Sequence, residues 1–568
     1  MSAKELQKNT PSYFSNPHKT PYVYRTIPDA VQNWADLRPN TAAVVVRDLG
    51  KPRQLLTFQQ LARDARVFAE SLVRVGLRPG ENVALYVRNS AEWMVGFCGV
   101  VMAGGVAVTA MSYHPGTCVR AATEVNCRFI ILDIREAQRL QDPHLLDDDI
   151  QAQCNTHNFD TKAIILVQNS PKSRRFMGFS DLVKRTDDTA GQVTLPLLDP
   201  DGICLMFPTS GTTGKSKYML HSHFAIINGS KAVADRVGLS PGDVFFTDRA
   251  MGYSGGFPSY VFSVGITMLF VQTMPIPSTE SVEFLMSALK EEQATSGFFP
   301  PYLLFDLARL DSRSDEKCSK LRKVMLGGQV LQRQMFETLH RFAEKPVCIY
   351  GMSELFGYFT TKPGENILPK EELTYLPCEG IQVKIVDDSD NVVHVGTEGE
   401  ICIRSFSLSR EYFGKDISPL LDSKGWYHTG DMGRLTKCGH LTISGRRKEI
   451  IKRGTFIVYP AAVENPLRDH PDVEEVYAVG VPDVRLLEEV CVCILPKQGS
   501  ELTVECIRCF AEQVFQPALS PDKRGLMPGY FFIMDDIPRL ITAKVNRREL
   551  KQRCVELLKS RSGREHVA

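Results

Sequence analysis

A chain of 568 residues exceeds what one hydrophobic core serves, and a prior of about 100–200 residues per domain predicts several compact units. Hydrophobic residues at 43% and charged residues at 23% exclude a disordered or fibrous protein, and 67 basic against 66 acidic side chains leave no global field to attract nucleic acid. The 15 cysteines are scattered, several of them in apolar runs, which predicts reduced thiols; Cys506 and Cys509 read as two helix-spaced buried thiols. The opening residues carry no apolar signal core and match an Arg-rich transit peptide poorly, so the expected compartment is the cytosol, with the mitochondrion as the alternative.

From Pro28 to about Asp133, helical patterns such as Phe58 to Phe68 alternate with short apolar runs, Val83 to Val87 and Phe129 to Leu132. That rhythm predicts α/β structure, and it continues through Ala163 to Val167, Val244 to Phe246, Met268 to Val271, Lys323 to Leu326 and Val347 to Ile349. Two long uncharged stretches, Met94 to Tyr113 and Ala250 to Thr279, raise the question of a membrane span. Gly104-Gly105 breaks the first and Gly255-Gly256 with Pro258 breaks the second, which favours buried helix-turn-strand units and no transmembrane segment.

Between these runs, the strand-like Ile203 to Phe207 leads into Pro208-Thr-Ser-Gly-Thr-Thr-Gly-Lys-Ser-Lys217, and a helical pattern begins near Ser222. Such a loop is suited to phosphate: glycines let backbone N–H groups approach anionic oxygens, hydroxyls add donors, lysines add charge, and the following helix N-terminus adds a dipole. A polar linker would not concentrate five hydroxyls, two glycines and two lysines in so few residues. A Walker loop fails because Thr209 stands where its first glycine is needed. After Pro377 the texture changes to closely spaced strands, with Asp387 to Asn391 as a hairpin turn. It changes again near Arg446, beyond which a small α+β unit follows. The expected organisation is an N-terminal body over 1–446 (α/β to about 376, a β subdomain over about 377–446) and a C-terminal α+β domain over 447–568.

Thr209-Ser-Gly-Thr-Thr-Gly214 with Lys217 resembles the signature loop of the adenylate-forming superfamily of acyl-CoA synthetases, luciferases and peptide-synthetase adenylation domains, most of all the medium-chain acyl-CoA synthetases. Four later segments follow that family's order: Tyr350-Gly-Met-Ser-Glu354, Trp426-Tyr-His-Thr-Gly-Asp431, Gly445-Arg-Arg-Lys-Glu-Ile450, and Ile537 to Arg547 around Lys544. Taken singly, each has an ordinary reading as a turn, a cap, a solvated basic stretch or a surface lysine; their joint order is what carries the resemblance.

The resemblance implies a large N-terminal body, a small mobile C-terminal domain and ATP-dependent activation of a carboxylic acid as its acyl-AMP, followed by transfer to coenzyme A. It implies that Thr209, Ser210, Gly211, Thr212, Thr213, Gly214, Lys215, Ser216 and Lys217 hold ATP phosphates. Tyr350 would pack on adenine, Ser353 would meet the α-phosphate, and Glu354 would ligate Mg²⁺. Asp431 would take the ribose hydroxyls, Arg446 ribose and phosphate, Lys448 would mark the hinge, and Lys544 would be catalytic. Tyr253, Gly327 and Gly328 would line an acyl pocket whose nearly uncharged surroundings favour a fatty or aryl acid over an amino acid, a medium-chain fatty acid being the expected subclass. Ser216, Tyr218, Leu540 and Ala543 depart from the family pattern, which motivates a catalytically weakened binding homologue as one alternative. An acyl-adenylate enzyme that does not use coenzyme A is the other.

Overall fold

The computed structural model describes the chain except residues 1–9, 110–114, 136–142, 168–174, 185–192, 210–216, 273–278, 301–302, 304–320, 328–344, 363–372, 415–418, 454–455, 484–485, 516–525, 541–543 and 566–568. Its strands form four sheets in a mixed α/β architecture. A seven-stranded sheet runs in the order Lys217–Ser222, Ile203–Thr209, Val106–Thr109, Asn82–Tyr86, Cys127–Asp133, Ile164–Val167, Met177–Gly178. All its neighbours are parallel except the first pair. A nine-stranded sheet has Lys345–Tyr350 beside Lys323–Gly327, with Ser296–Phe299, Val244–Thr247, Thr267–Gln272 and Ala42–Asp48 beyond.

Helices fill the space between these two sheets, and the sequence explains why. Phe58–Arg74 starts at a capping box in which Thr57 and Gln60 satisfy each other's backbone N–H groups. It buries Phe58, Leu61, Ala65, Phe68 and Leu72 at helical spacing. Ala91–Met102 is buried continuously from Trp93 to Val101, so the uncharged Met94 to Tyr113 stretch is an interior helix followed by the strand Val106–Thr109. Each large side chain buried there stabilises the fold by about 1.5–3 kcal/mol. Among the described residues no helix is long and apolar enough to cross a membrane.

An antiparallel five-stranded sheet follows: Tyr13–Asn16, Ile381–Val386, Gly399–Ser405, Tyr427–Leu435 and Leu441–Arg446. The Asp387 to Asn391 turn closes as expected, with the Asp387 N–H on the Asn391 carbonyl and Asp390 in the left-handed region. The last sheet is built from Phe456–Val458, Ile451–Arg453, Leu487–Pro496, Val473–Asp483 and Tyr530–Ile533. The helices Val504–Val514 and Arg547–Glu565 accompany it; Asn546 Oδ1 caps the second by accepting the Glu549 N–H, and its Nδ2 donates to the Glu549 carboxylate.

The thiols require one correction. Cys506 and Cys509 do sit at helix spacing on Val504–Val514, but both are exposed. The helix turns its other stripe, Ile507 and Ala511, to the sheet. The cysteine pair therefore lies on the solvent side.

Candidate active site

The phosphate-type loop joins two antiparallel strands, Ile203–Thr209 and Lys217–Ser222, with Lys217 opposite Thr209. Ser210, Gly211, Thr212, Thr213, Gly214, Lys215 and Ser216 lie outside the described residues. The expectation of a strand, loop and helix in direct succession is corrected here. The Lys217–Ser222 strand carries the chain back to the far end of its partner, where Ser222 pairs with Ile203 and caps the helix His223–Val237. That helix N-terminus is thus a strand's length from the loop, and its dipole, which decays within one turn, does not reach it. Lys217 is half-buried, with its Nζ 4.8 Å from the Tyr412 ring centroid. Tyr218, where the resembled pattern has glycine, points into the core instead.

Tyr350 ends the strand Lys345–Tyr350, at the C-terminal edge where α/β sheets commonly bind ligands. Its hydroxyl donates to Asp431 Oδ2 at 2.5 Å. The other oxygen, Oδ1, meets Arg446 Nε at 2.7 Å, because strand register sets Asp431 directly opposite Arg446. The Asp431 N–H is held by Thr429 Oγ1 at 3.0 Å, and Gly430, in the left-handed region, donates its N–H to Glu400. Burial raises the Asp431 carboxyl above the ordinary range, against the lowering pull of Arg446, Tyr350 and Lys544. Lys544 itself is exposed, on a loop in the C-terminal part of the chain. The loop is held at its ends, where the Leu540 N–H donates to the Lys544 carbonyl and the Asn546 N–H to that of Pro538, both at 2.8 Å.

Ser353 and Glu354 occupy the turn after Tyr350. Ser353 Oγ lies 2.9 Å from Ser254 Oγ, and its carbonyl lies 3.1 Å from His221 Nε2. Burial lowers His221 to about 4, so the ring is neutral and Nε2 is the donor. Burial raises the Glu354 carboxyl, partly offset by the Tyr427 hydroxyl and Arg446. A partly buried, oxygen-only ligand of this kind fits a hard divalent cation. Behind this turn, the helix His223–Val237 passes so close that a Cβ on Gly229 would lie 1.7 Å from the Phe356 carbonyl oxygen.

Of the remaining expected residues, Lys448 is exposed in the one-turn helix Arg447–Glu449 that leads from the antiparallel sheet to the last one. Beside it, Arg447 reaches Glu400 at 2.8 Å and Asp388 at 2.7 Å. Tyr253 lies half-buried in the turn before Ser259–Ser263. Gly327 ends Lys323–Gly327, where a Cβ would strike Ile349; Gly328 lies outside the described residues. The structure therefore gathers Tyr350, Asp431, Arg446, Glu354 and Ser353 around one edge.

His221 escaped the sequence reading, and nothing local in the sequence marks it. Ser254 and Tyr427 were read only as parts of the segments around Tyr253 and Asp431; for Tyr427 the signal was strand alternation, since residues 427, 429 and 431 share a face.

A family model described as AMP-binding enzyme matches residues 31–413. The putative acyl-CoA synthetase YngI of Bacillus subtilis is 25% identical, over 94% of this chain and 98% of its own length. The human medium-chain acyl-CoA ligase ACSF2, mitochondrial, is 24% identical, over 97% of this chain and 92% of its own. Among solved structures, the anthranilate CoA ligase AuaEII in complex with anthranoyl-AMP superposes with a TM-score of 0.77 at 21% identity, covering 94% of this chain and 98% of its own.

Proposed function

The chain belongs to the AMP-binding enzyme family, and we propose that it is an AMP-forming acid:CoA ligase that uses ATP, Mg²⁺ and coenzyme A to activate a carboxylic acid, a medium-chain fatty acid being the substrate favoured by its sequence. The observation that carries the reading is the convergence of Tyr350, Asp431 and Arg446. A carboxylate offers about four acceptor positions; Tyr350 and Arg446 take two, which leaves two for the vicinal hydroxyls of a ribose.

Tyr350 supplies an aromatic face for adenine while its hydroxyl fixes the carboxylate. Arg446 neutralises Asp431 and presents further N–H donors toward phosphate. Ser353, fixed by Ser254 and by His221 through its carbonyl, offers a hydroxyl to the α-phosphate. Lys544 is proposed to bridge substrate carboxylate and α-phosphate oxygens as negative charge builds there, an electrostatic contribution of about 3–4 kcal/mol by analogy with other preorganised donors. Glu354 would hold Mg²⁺, which screens phosphate charge when bound. The acyl-AMP then yields its acyl group to the coenzyme A thiol, with Lys448 as the hinge about which the C-terminal domain turns.

Tyr253, Tyr358 and Gly327 are proposed to shape the acyl pocket. The medium-chain ligase named above supports an aliphatic acid, and the anthranilate ligase supports an aryl acid as the second reading. The fourteen cysteines among the described residues are free thiols, which suits a reducing compartment: the cytosol is proposed, with the mitochondrion as the alternative because the human relative is mitochondrial.

A thioester screen over aliphatic acids of graded chain length and over benzoate-type acids tests this. Thioester formation with AMP release, highest on medium chains, is the expected result. Pyrophosphate release without coenzyme A consumption would refute the ligase step, and preference for aryl acids would refute the substrate.

A further inference from the structure

Away from the nucleotide site, Cys491 and Cys493 stand two residues apart on the strand Leu487–Pro496, so both side chains leave the same face of the sheet. Their neighbours Val490, Val492 and Ile494 pack into a separate cluster on the opposite face. The helix Arg547–Glu565 covers the cysteine face and brings Cys554 to it. The three Sγ atoms lie within 4.8 Å of one another, and those of Cys493 and Cys554 are 3.0 Å apart. All three residues are fully buried among Val479, Val481, Phe532, Ile537 and Leu550. Buried cysteines commonly pack as small hydrophobes; three sulfurs converging on one point of a dry interior are in addition a donor set.

The donor set selects its ligand. No fourth Cys, His, Asp or Glu among the described residues joins it, so a structural Zn²⁺, which takes four ligands in a closed site, would be left short. Thiolate sulfur prefers soft ions, Cu(I) foremost among the first-row metals.

We propose that Cys491, Cys493 and Cys554 form a three-sulfur site for Cu(I) in the C-terminal part of the chain. Binding replaces thiol protons by the ion: Cu–S bonds form, S–H bonds break, the protons leave to solvent, and no electron moves. Because binding releases thiol protons, uptake strengthens as pH rises. The ion would fasten the helix that starts three residues after Lys544 to its sheet.

The test uses the full chain with the exposed Cys438, Cys506 and Cys509, together with Cys318, changed to Ser. Under anaerobic reducing conditions Cu(I) is titrated in competition with a chromophoric chelator. One equivalent should bind, the melting temperature should rise, and X-ray absorption should count two or three sulfur neighbours. Adding Cys554→Ala should weaken binding by roughly 100-fold. Absence of uptake, nitrogen or oxygen neighbours, or affinity unchanged in Cys554→Ala would each overturn the proposal. The sulfur count on the intact cluster decides the matter even where that last variant fails to fold.

Discussion

Changing Asp431 to Asn separates a binding role from a structural one. In the parent, Oδ1 faces Arg446 Nε at 2.7 Å and Oδ2 faces the Tyr350 hydroxyl at 2.5 Å, leaving one acceptor position on each oxygen. An amide keeps one oxygen and turns an N–H₂ toward a group that is already a donor. One charge-assisted bond to ribose is lost and the other loses its charge. Bonds of that type contribute about 1.5–3 kcal/mol, which converts to roughly 10- to 150-fold weaker ATP binding. Stability should move little. Arg446 is 57% exposed, so its ion pair is screened, and the amide removes the cost of burying a carboxylate whose pKa burial has raised. Calorimetric titration with ATP, beside a melting curve, measures both. ATP affinity within about threefold of the parent would refute the reasoning, and a weaker affinity accompanied by a large fall in melting temperature would assign Asp431 to the fold instead.

Lys544→Ala should slow carboxylate-dependent ATP–pyrophosphate exchange by about 10²- to 10³-fold while leaving thioester formation from presynthesised acyl-AMP nearly intact; equal loss in both half-reactions would contradict its proposed role. Glu354 yields a pH test. Its folded carboxyl pKa is raised by burial, so the folded state binds more protons than the unfolded one in the window above the ordinary carboxyl range, and stability falls as pH rises through that window. Glu354→Gln should therefore melt higher than the parent at neutral pH and lose that advantage as pH drops below the ordinary range, while needing more Mg²⁺ for exchange. A lower melting temperature at pH 7 would reverse the sign and the argument. Gly229→Ala would place a methyl 1.7 Å from the Phe356 carbonyl oxygen, a clash that only backbone movement relieves, and should destabilise by about 1–3 kcal/mol in denaturant melts; a neutral outcome would mean that the turn after Tyr350 is looser than drawn.

What the sequence disclosed follows from the range of the interactions. The α/β rhythm, the helical pattern from Phe58 and the hairpin at Asp387 are local patterns, and each is found where its residues predict it. The phosphate-type loop was legible as chemistry but not as topology. Lys217 to Ser222 has the apolar residues of a strand, yet only pairing with Ile203–Thr209 decides that it runs back before the helix begins. The contacts of His221 and Ser254 were hidden for a different reason. Both act through Ser353, which is 132 and 99 residues away respectively, and no local spacing records such a contact. The exposure of Cys506 and Cys509 was likewise a matter of which helix stripe the sheet selects.

Gly229 ties together segments that the chain keeps far apart. Its helix follows the phosphate-type hairpin, and the carbonyl it admits belongs to Phe356, two residues past Glu354. With a hydrogen in place of a methyl, the two backbones touch without a cushion of side-chain atoms that could deform. A push on one is transmitted to the other undamped. The strand pair that bounds the phosphate-type loop and the turn proposed for metal then keep a common frame of reference, much as two jaws of a vice bolted to a single bed stay aligned.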